Sequence, residues 1–123
     1  MDKHCRTGCP VELALDLVGG KWKPLILYRL SGGTMRFAQL QRAMPGVTQR
    51  MLTLQLRELE RAGLIRREVY PEVPPRVEYS ITAAADGLLP ILEALGHWAA
   101  GHQTRSAAST RDADTSTPYP RAA

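Results

Sequence analysis

A chain of 123 residues, 44% apolar and 23% charged, has the length and composition of one globular domain and is too short for a two-domain cofactor enzyme. Its longest apolar runs are four or five residues, which excludes a membrane-spanning helix, and its N-terminal residues lack the apolar segment of a signal peptide. Two cysteines near one end cannot build the disulfide framework of a secreted fold. We therefore expect a cytoplasmic protein with no membrane partner.

The charges are unevenly distributed, although the 16 basic and 12 acidic residues give a net charge of only +4. Residues 34–67 carry seven Arg and two Glu, whereas residues 68–102 carry one Arg and five acidic residues. A local basic excess indicates an anionic partner such as nucleic acid, although a solvated helix face produces the same excess.

Four helices are predicted before residue 63, at about 10–18, 21–30, 34–43 and 49–62. Pro10 suits the first turn of the first helix, and Gly19 ends it. Pro45 lies in the turn before the fourth helix, which Thr48 caps and Gly63 ends. The inward stripe of the second helix is predicted to consist of Trp22, Leu25, Ile26 and Leu30.

After residue 63 the apolar period changes from 3.6 to 2, which predicts strands at 64–70 and 77–81. The proline-rich segment 71–76 cannot continue the ladder and is predicted to form a hairpin tip that carries Arg76. Thr82 should cap one last helix, with a kink at Pro90. We expect residues 1–8 to be a flexible N-terminus, residues 9–102 to be the folded domain and residues 103–123 to be a disordered tail.

This order of elements is that of a winged helix-turn-helix, an α+β fold that is mainly α, with a two-stranded hairpin as the wing. In the fourth helix, Leu52, Leu56 and Leu59 share one face. The opposite face collects residue types that contact base edges and phosphates, mostly in the N-terminal half where a recognition helix meets the major groove. The predicted DNA-binding residues are Thr48, Gln49, Arg50, Thr53, Leu54 and Arg57, together with Arg76 beside the minor groove. For Arg66 and Arg67, phosphate contact and packing against nearby acidic residues both stay open.

An ordered series of segments carries a family resemblance. They are Cys9–Glu12, Gly19–Lys23, Arg36–Leu40, Met44–Thr53, Leu56–Glu60, Gly63–Ile65 and Val73–Tyr79. With these segments the chain resembles the HxlR-type transcriptional regulators of bacteria and archaea, from residue 9 to about residue 101. Two positions depart from the family pattern: Leu54 stands where a polar residue is usual, and Thr82 is followed by three alanines.

The resemblance implies a homodimeric regulator that binds a two-fold symmetric operator in double-stranded DNA, and we expect a repressor. It also implies that the first and last helices form the dimer interface. The implied interface residues are Leu13, Leu17, Leu88, Ile91, Leu92, Leu95 and Trp98.

Cys9 lies just before Pro10 at the start of the first helix, where the helix dipole and nearby basic residues favour the reactive thiolate. Several regulators of the family that the chain resembles use this cysteine to sense oxidants or electrophiles, and Cys5 could then be its resolving partner. An ordinary half-buried cysteine is the alternative. His4, Cys5 and Cys9 supply three of the four ligands that structural zinc requires, so no metal site is predicted.

No catalytic constellation, phosphate-binding loop or dinucleotide-binding turn is present in the sequence, so we expect neither an enzyme nor a cofactor. Two alternatives stay open: a winged-helix module that binds another protein rather than DNA, and a regulator that responds to a noncovalent small-molecule effector.

Overall fold

A computed structural model describes residues 8–113 of the chain, with the side-chain surroundings of residues 8–105. The elements are α1 (Pro10–Val18), α2 (Trp22–Leu30), β1 (Met35–Arg36), α3 (Phe37–Ala43), α4 (Gln49–Arg61), β2 (Ile65–Tyr70), β3 (Arg76–Ile81), α5 (Ala83–Asp86) and α6 (Leu89–Ala113). Two units can be distinguished, one up to Leu89 and one from Pro90. The predicted winged helix-turn-helix and its mainly helical α+β class are confirmed.

The sheet has three antiparallel strands in the order β1-β3-β2. Strands β2 and β3 form the predicted hairpin, with Ile65 opposite Ile81 and Tyr70 opposite Arg76. Strand β1 was not predicted from the sequence. Residues 35–36 were expected to begin the third helix, but they pair with residues 78–79 of β3. A strand of two residues is too short to show an alternating pattern, and only the pairing with β3 defines it.

The apolar faces of α2, α3, α4 and the sheet form the core of the first unit. Its fully buried side chains include Ile26, Leu27, Leu40, Leu52, Leu56, Leu59 and Ile65. The predicted inner face of α4 is thereby confirmed. In α2 the expectation was wrong at Leu25, which is 37% exposed, because the helix turns Leu27 inward beside Ile26 and Leu30.

The turn into α4 and the end of that helix are formed as the sequence predicts. Gly46 adopts φ of 96° between α3 and α4, and Gly63 adopts φ of 80° after α4, a region that disfavours any side chain. The Thr48 hydroxyl accepts a hydrogen bond of 3.0 Å from the Met51 N–H and so caps α4. Local backbone chemistry therefore sets both ends of this helix.

Thr82 closes the base of the wing instead of capping a helix through its side chain. Its hydroxyl donates to the Gly63 carbonyl at 2.7 Å, and its N–H donates to the Leu64 carbonyl at 3.1 Å. The last residue before α5 is thereby joined to the first residues after α4.

The C-terminal helices differ from the expectation of one kinked helix. Two helices, α5 and α6, are present, and Pro90 is the second residue of α6. Proline is tolerated in the first turn because its missing N–H would have no partner there. Helix α6 continues to Ala113, beyond residue 102 where the sequence predicts the end of the folded domain. The rest of the expected tail, 114–123, and nearly all of the expected flexible N-terminus, 1–7, lie outside the described residues.

Within residues 8–113, no helix is long and apolar enough to cross a membrane.

Candidate nucleic-acid interface

One face of α4 presents polar and basic side chains to solvent, as the sequence predicts. Gln49, Arg50 and Arg57 are exposed, and so is the apolar side chain of Leu54, at 46%. Thr53 on the same face is half-buried. The face therefore combines long hydrogen-bonding side chains with one aliphatic contact near the helix N-terminus.

The two threonines of this face differ in what they can offer a ligand. The Thr53 hydroxyl donates to the Gln49 carbonyl at 2.8 Å, which uses its proton within the helix. The Thr48 hydroxyl instead accepts from the Met51 N–H, so its own proton can still be donated. Thr48 is thus suited to a phosphate oxygen, and Thr53 to an apolar contact through its methyl group.

A salt bridge joins α4 to α2 at the edge of this face. The Lys23 ammonium lies 2.8 Å from a Glu58 carboxylate oxygen. The hydrogen bond and the positive charge of Lys23, with a weaker contribution from Arg61, lower the pKa of Glu58, and they outweigh the opposing effect of its burial. The carboxylate therefore stays ionised and the link persists at neutral pH.

Arg76 was predicted at the hairpin tip, and this position is wrong. Arg76 is the first residue of β3, and its guanidinium lies 2.8 Å from carboxylate oxygens of both Glu72 and Glu78. It also lies over the Tyr70 ring, 4.1 Å from the centroid. Burial alone would lower the pKa of Arg76, but the two carboxylates outweigh it and raise the pKa. This arginine is held by its own wing, because the hairpin pairs Tyr70 with Arg76.

A groove of about 300 Å³ opens between α4 and the sheet. It is lined by Thr53, Leu56, Arg57, Glu60, Arg67 and Tyr79. Arg67 is a residue whose role the sequence left open, and the structure places it beside Arg57. Its neighbour Arg66 projects from the opposite face of β2 because side chains alternate along a strand.

Helices α1 and α6 each expose large apolar side chains. The exposed positions include Val11, Leu13, Leu15 and Leu17 in α1, and Ile91, Leu95 and Trp98 in α6. Among the other predicted interface residues, Leu88 and Leu92 are half-buried. The exposed residues of α6 share one face, whereas those of α1 lie on more than one side of that helix. Exposed apolar surface of this extent marks a surface that associates with another molecule.

Cys9 occupies the N-cap position of α1, directly before Pro10, and is half-buried. Its carbonyl accepts a hydrogen bond of 2.9 Å from the Leu13 N–H. Cys5 lies outside the described residues. In the part of the chain that the structure describes, no three His, Cys, Asp or Glu side chains are grouped as a metal site.

A capped helix with a polar and basic outer face, in the second position of a helix-turn-helix and followed by a hairpin, defines a winged-helix DNA-binding protein. The model of the HxlR-like helix-turn-helix family matches residues 17–107. The chain belongs to this family of transcriptional regulators.

Relatives and solved structures agree with this assignment. An HTH-type transcriptional regulator of Methanothermobacter thermautotrophicus is 57% identical over 90 residues, which cover 73% of this chain and 69% of the relative. The HTH-type transcriptional regulator YdeP of Bacillus subtilis is 52% identical over 98 residues, which cover 80% and 77%. The redox regulator HypR in its oxidized form is 50% identical, covers 76% of this chain and 96% of its own, and has a TM-score of 0.73.

Proposed function

We propose that this regulator is a homodimeric repressor of the cytoplasm that binds a two-fold symmetric operator in double-stranded DNA. The exposed face of α4 carries the proposal, since its N-terminal half concentrates the side chains that can reach base edges. A winged-helix module that binds only proteins has no need for such a face.

In this assignment Gln49 and Arg50 read base edges in the major groove, because their planar amide and guanidinium groups form paired hydrogen bonds with adenine and guanine. Leu54 and the Thr53 methyl group supply apolar contacts, which suit a thymine methyl. Thr48 and Arg57 contact backbone phosphates and set the register of the helix. Arg76 acts indirectly, by keeping the wing in one shape.

The exposed apolar residues of α1 and α6 support the homodimer. A monomer rarely leaves this many large aliphatic and aromatic side chains in water, and two copies of one chain bury them with two-fold symmetry. A symmetric dimer presents two copies of α4, which fits half-sites about 34–36 Å apart on one face of the DNA.

A redox response through Cys9 is supported by two observations. The residue stands at the N-terminus of α1, where the backbone dipole favours a negative charge, and a structural relative of 50% identity is a redox regulator. Disulfide formation with Cys5, within one subunit or across the dimer, would change the start of a helix that we assign to the interface. A noncovalent effector bound by the dimer is the alternative.

Operator binding by Arg50→Ala tests the central proposal. A duplex recovered by in vitro selection with the wild-type protein supplies the probe, and a mixed-sequence duplex supplies the reference. We expect Arg50→Ala to lose on the order of 1–3 kcal/mol at the selected duplex and to lose base preference at one position.

Arg61→Ala is the matched control, because it removes the same charge from the same helix roughly 16 Å further along its axis. It should retain the discrimination between the two duplexes. Failure of the wild-type protein to enrich any sequence would contradict the proposal and favour the protein-binding alternative.

A further inference from the structure

We propose that Arg57 of α4 and Arg67 of β2 bind one backbone phosphate of the DNA duplex between them, in the groove that separates the recognition helix from the wing. This inference rests on the proposed function and adds a contact made by the sheet. It assigns Arg67, which the sequence could not separate from Arg66.

Both arginines line the same groove from opposite sides. Thr53, Arg57 and Glu60 are four and three residues apart, so they follow one stripe of α4. Arg67 closes the other side with Tyr79, which is its directly opposed residue in the β2–β3 ladder. A phosphate in this groove therefore meets guanidinium groups from two separate elements, which is a strong arrangement for a phosphodiester.

Arg67 stands on a sheet face that is otherwise apolar. Side chains alternate along each strand, and the five other residues of this face of β2 and β3 are Ile65, Val69, Val77, Tyr79 and Ile81. An aliphatic side chain at position 67 would continue this face and pack against the helix. Arg67 therefore brings the one positive charge on this face of β2 and β3.

Within residues 8–105, no salt bridge joins Arg57 or Arg67 to a carboxylate. Arg76 and Lys23, by contrast, are each paired at 2.8 Å. Glu60 also lines the groove, one turn beyond Arg57, and its negative charge opposes an anion at that end. The guanidinium groups of Arg57 and Arg67 are thus available to an anion that lies between them.

The salt dependence of DNA binding tests this assignment. Each phosphate that a protein neutralises contributes about 0.9 to the slope of the logarithm of affinity against the logarithm of salt concentration. For the double variant Arg57→Ala/Arg67→Ala on the mixed-sequence duplex, we expect the slope to fall by about 0.9 for each bound subunit. Each single variant should lose less, since the remaining arginine still contacts the phosphate. A loss of about 1.8 for each bound subunit would mean two separate phosphates and would overturn the shared site.

Arg66→Ala is the matched control, because it removes the same charge from the next residue of the same strand but from the other face of the sheet. Arg66→Ala should leave the slope near the wild-type value. Arg57→Lys/Arg67→Lys should keep most of the wild-type slope, because both positive charges remain. A change with Arg66→Ala as large as with Arg67→Ala would overturn the assignment, as would an unchanged slope in the double variant.

Neutral methylphosphonate linkages, placed one at a time in the selected duplex, test whether the groove binds a phosphate of the DNA backbone or a free anion. One position in each half-site should weaken binding by the wild-type protein and have no further effect on the double variant. If no position behaves in this way, the groove does not hold a DNA phosphate. This test of the phosphate site is independent of the test of base recognition. Arg50→Ala should reduce discrimination between the selected and mixed-sequence duplexes, whereas the double variant should keep it.

Discussion

Arg76 lies directly opposite Tyr70 in the β2–β3 ladder, and its guanidinium covers the tyrosine ring at 4.1 Å from the centroid. The same guanidinium neutralises Glu78, whose opposed neighbour on β2 is the like-charged Glu68. Like charges in directly opposed positions destabilise a sheet, so the arginine offsets a repulsion built into the hairpin. The wing is held in shape by contacts that cross between its own strands.

Substitution at Tyr70 tests whether Arg76 acts through the wing. We expect Tyr70→Leu to weaken binding to the selected duplex, and Arg76→Ala to weaken it further, because Arg76→Ala removes the same cross-strand contact together with the ion pairs to Glu72 and Glu78. Titration by fluorescence anisotropy measures both. Wild-type affinity in Tyr70→Leu would contradict a role of Arg76 through its contact with this ring.

The helix cap of α4 gives a prediction about stability. Thr48→Ala should lower the free energy of unfolding by about 0.5–2 kcal/mol, because the Met51 N–H loses its acceptor. Urea denaturation followed by circular dichroism measures the change. Thr53→Ala is the matched control on the same helix and should have little effect, since its hydroxyl bonds only to the helix carbonyl of Gln49.

Acidification should break the link between α2 and α4. Glu58 has a pKa below its ordinary value of 4.5, chiefly because of the hydrogen bond and charge of Lys23. A lowered carboxyl pKa in the folded state adds stability that is fully present above the ordinary value and is lost as the pH falls through the lowered one. We therefore expect Glu58→Gln to reduce stability at neutral pH and to flatten its decline below pH 4.5.

The apolar stripe of α6 predicts the oligomeric state. Leu95 is 58% exposed, and Leu95→Asp should convert a dimer to a monomer because it places a charge in the proposed interface. Sedimentation velocity at micromolar concentration distinguishes the two states. Ala100→Asp introduces the same side chain on the other side of the helix and should sediment as a dimer. A stable wild-type monomer would contradict the proposed assembly.

Oxidation should act through Cys9. Diamide oxidises two thiols to a disulfide and is itself reduced to the hydrazine, so treatment of the wild-type protein should weaken operator binding until a reductant restores it. Cys9→Ser should bind equally well with and without diamide. Cys5→Ser should also lose the response to diamide, because that response depends on a disulfide, and should keep any response that does not. An equal response of wild type and Cys9→Ser would leave Cys9 a packing residue.

Local rules predicted much of this fold from the sequence. The cap at Thr48, the glycine at position 63 and the leucine stripe of α4 each depend on neighbours within one or two helical turns. Position 76 could not be placed in the same way, because its contacts depend on the register between two strands. The groove at Arg67 depends on how the sheet packs against α4, which no local pattern encodes.

The composition of residues 103–113 contains an indication that α6 continues to Ala113, although these residues are mostly polar. Residues 103–113 lack an apolar stripe, which favours disorder, yet they include three alanines and two arginines, which are strong helix formers. Once a helix has formed in the preceding apolar segment, its extension through such residues avoids the cost of nucleation.

The bonds from Thr82 to Gly63 and Leu64 make the wing a closed excursion whose two ends meet at its base. We expect substitutions in the tip, at residues 71–75, to leave the end of α4 and the start of α5 unchanged, because neither bond involves a tip residue. The distance from α4 to the wing is therefore set at the base of the hairpin and not by the sequence of its tip.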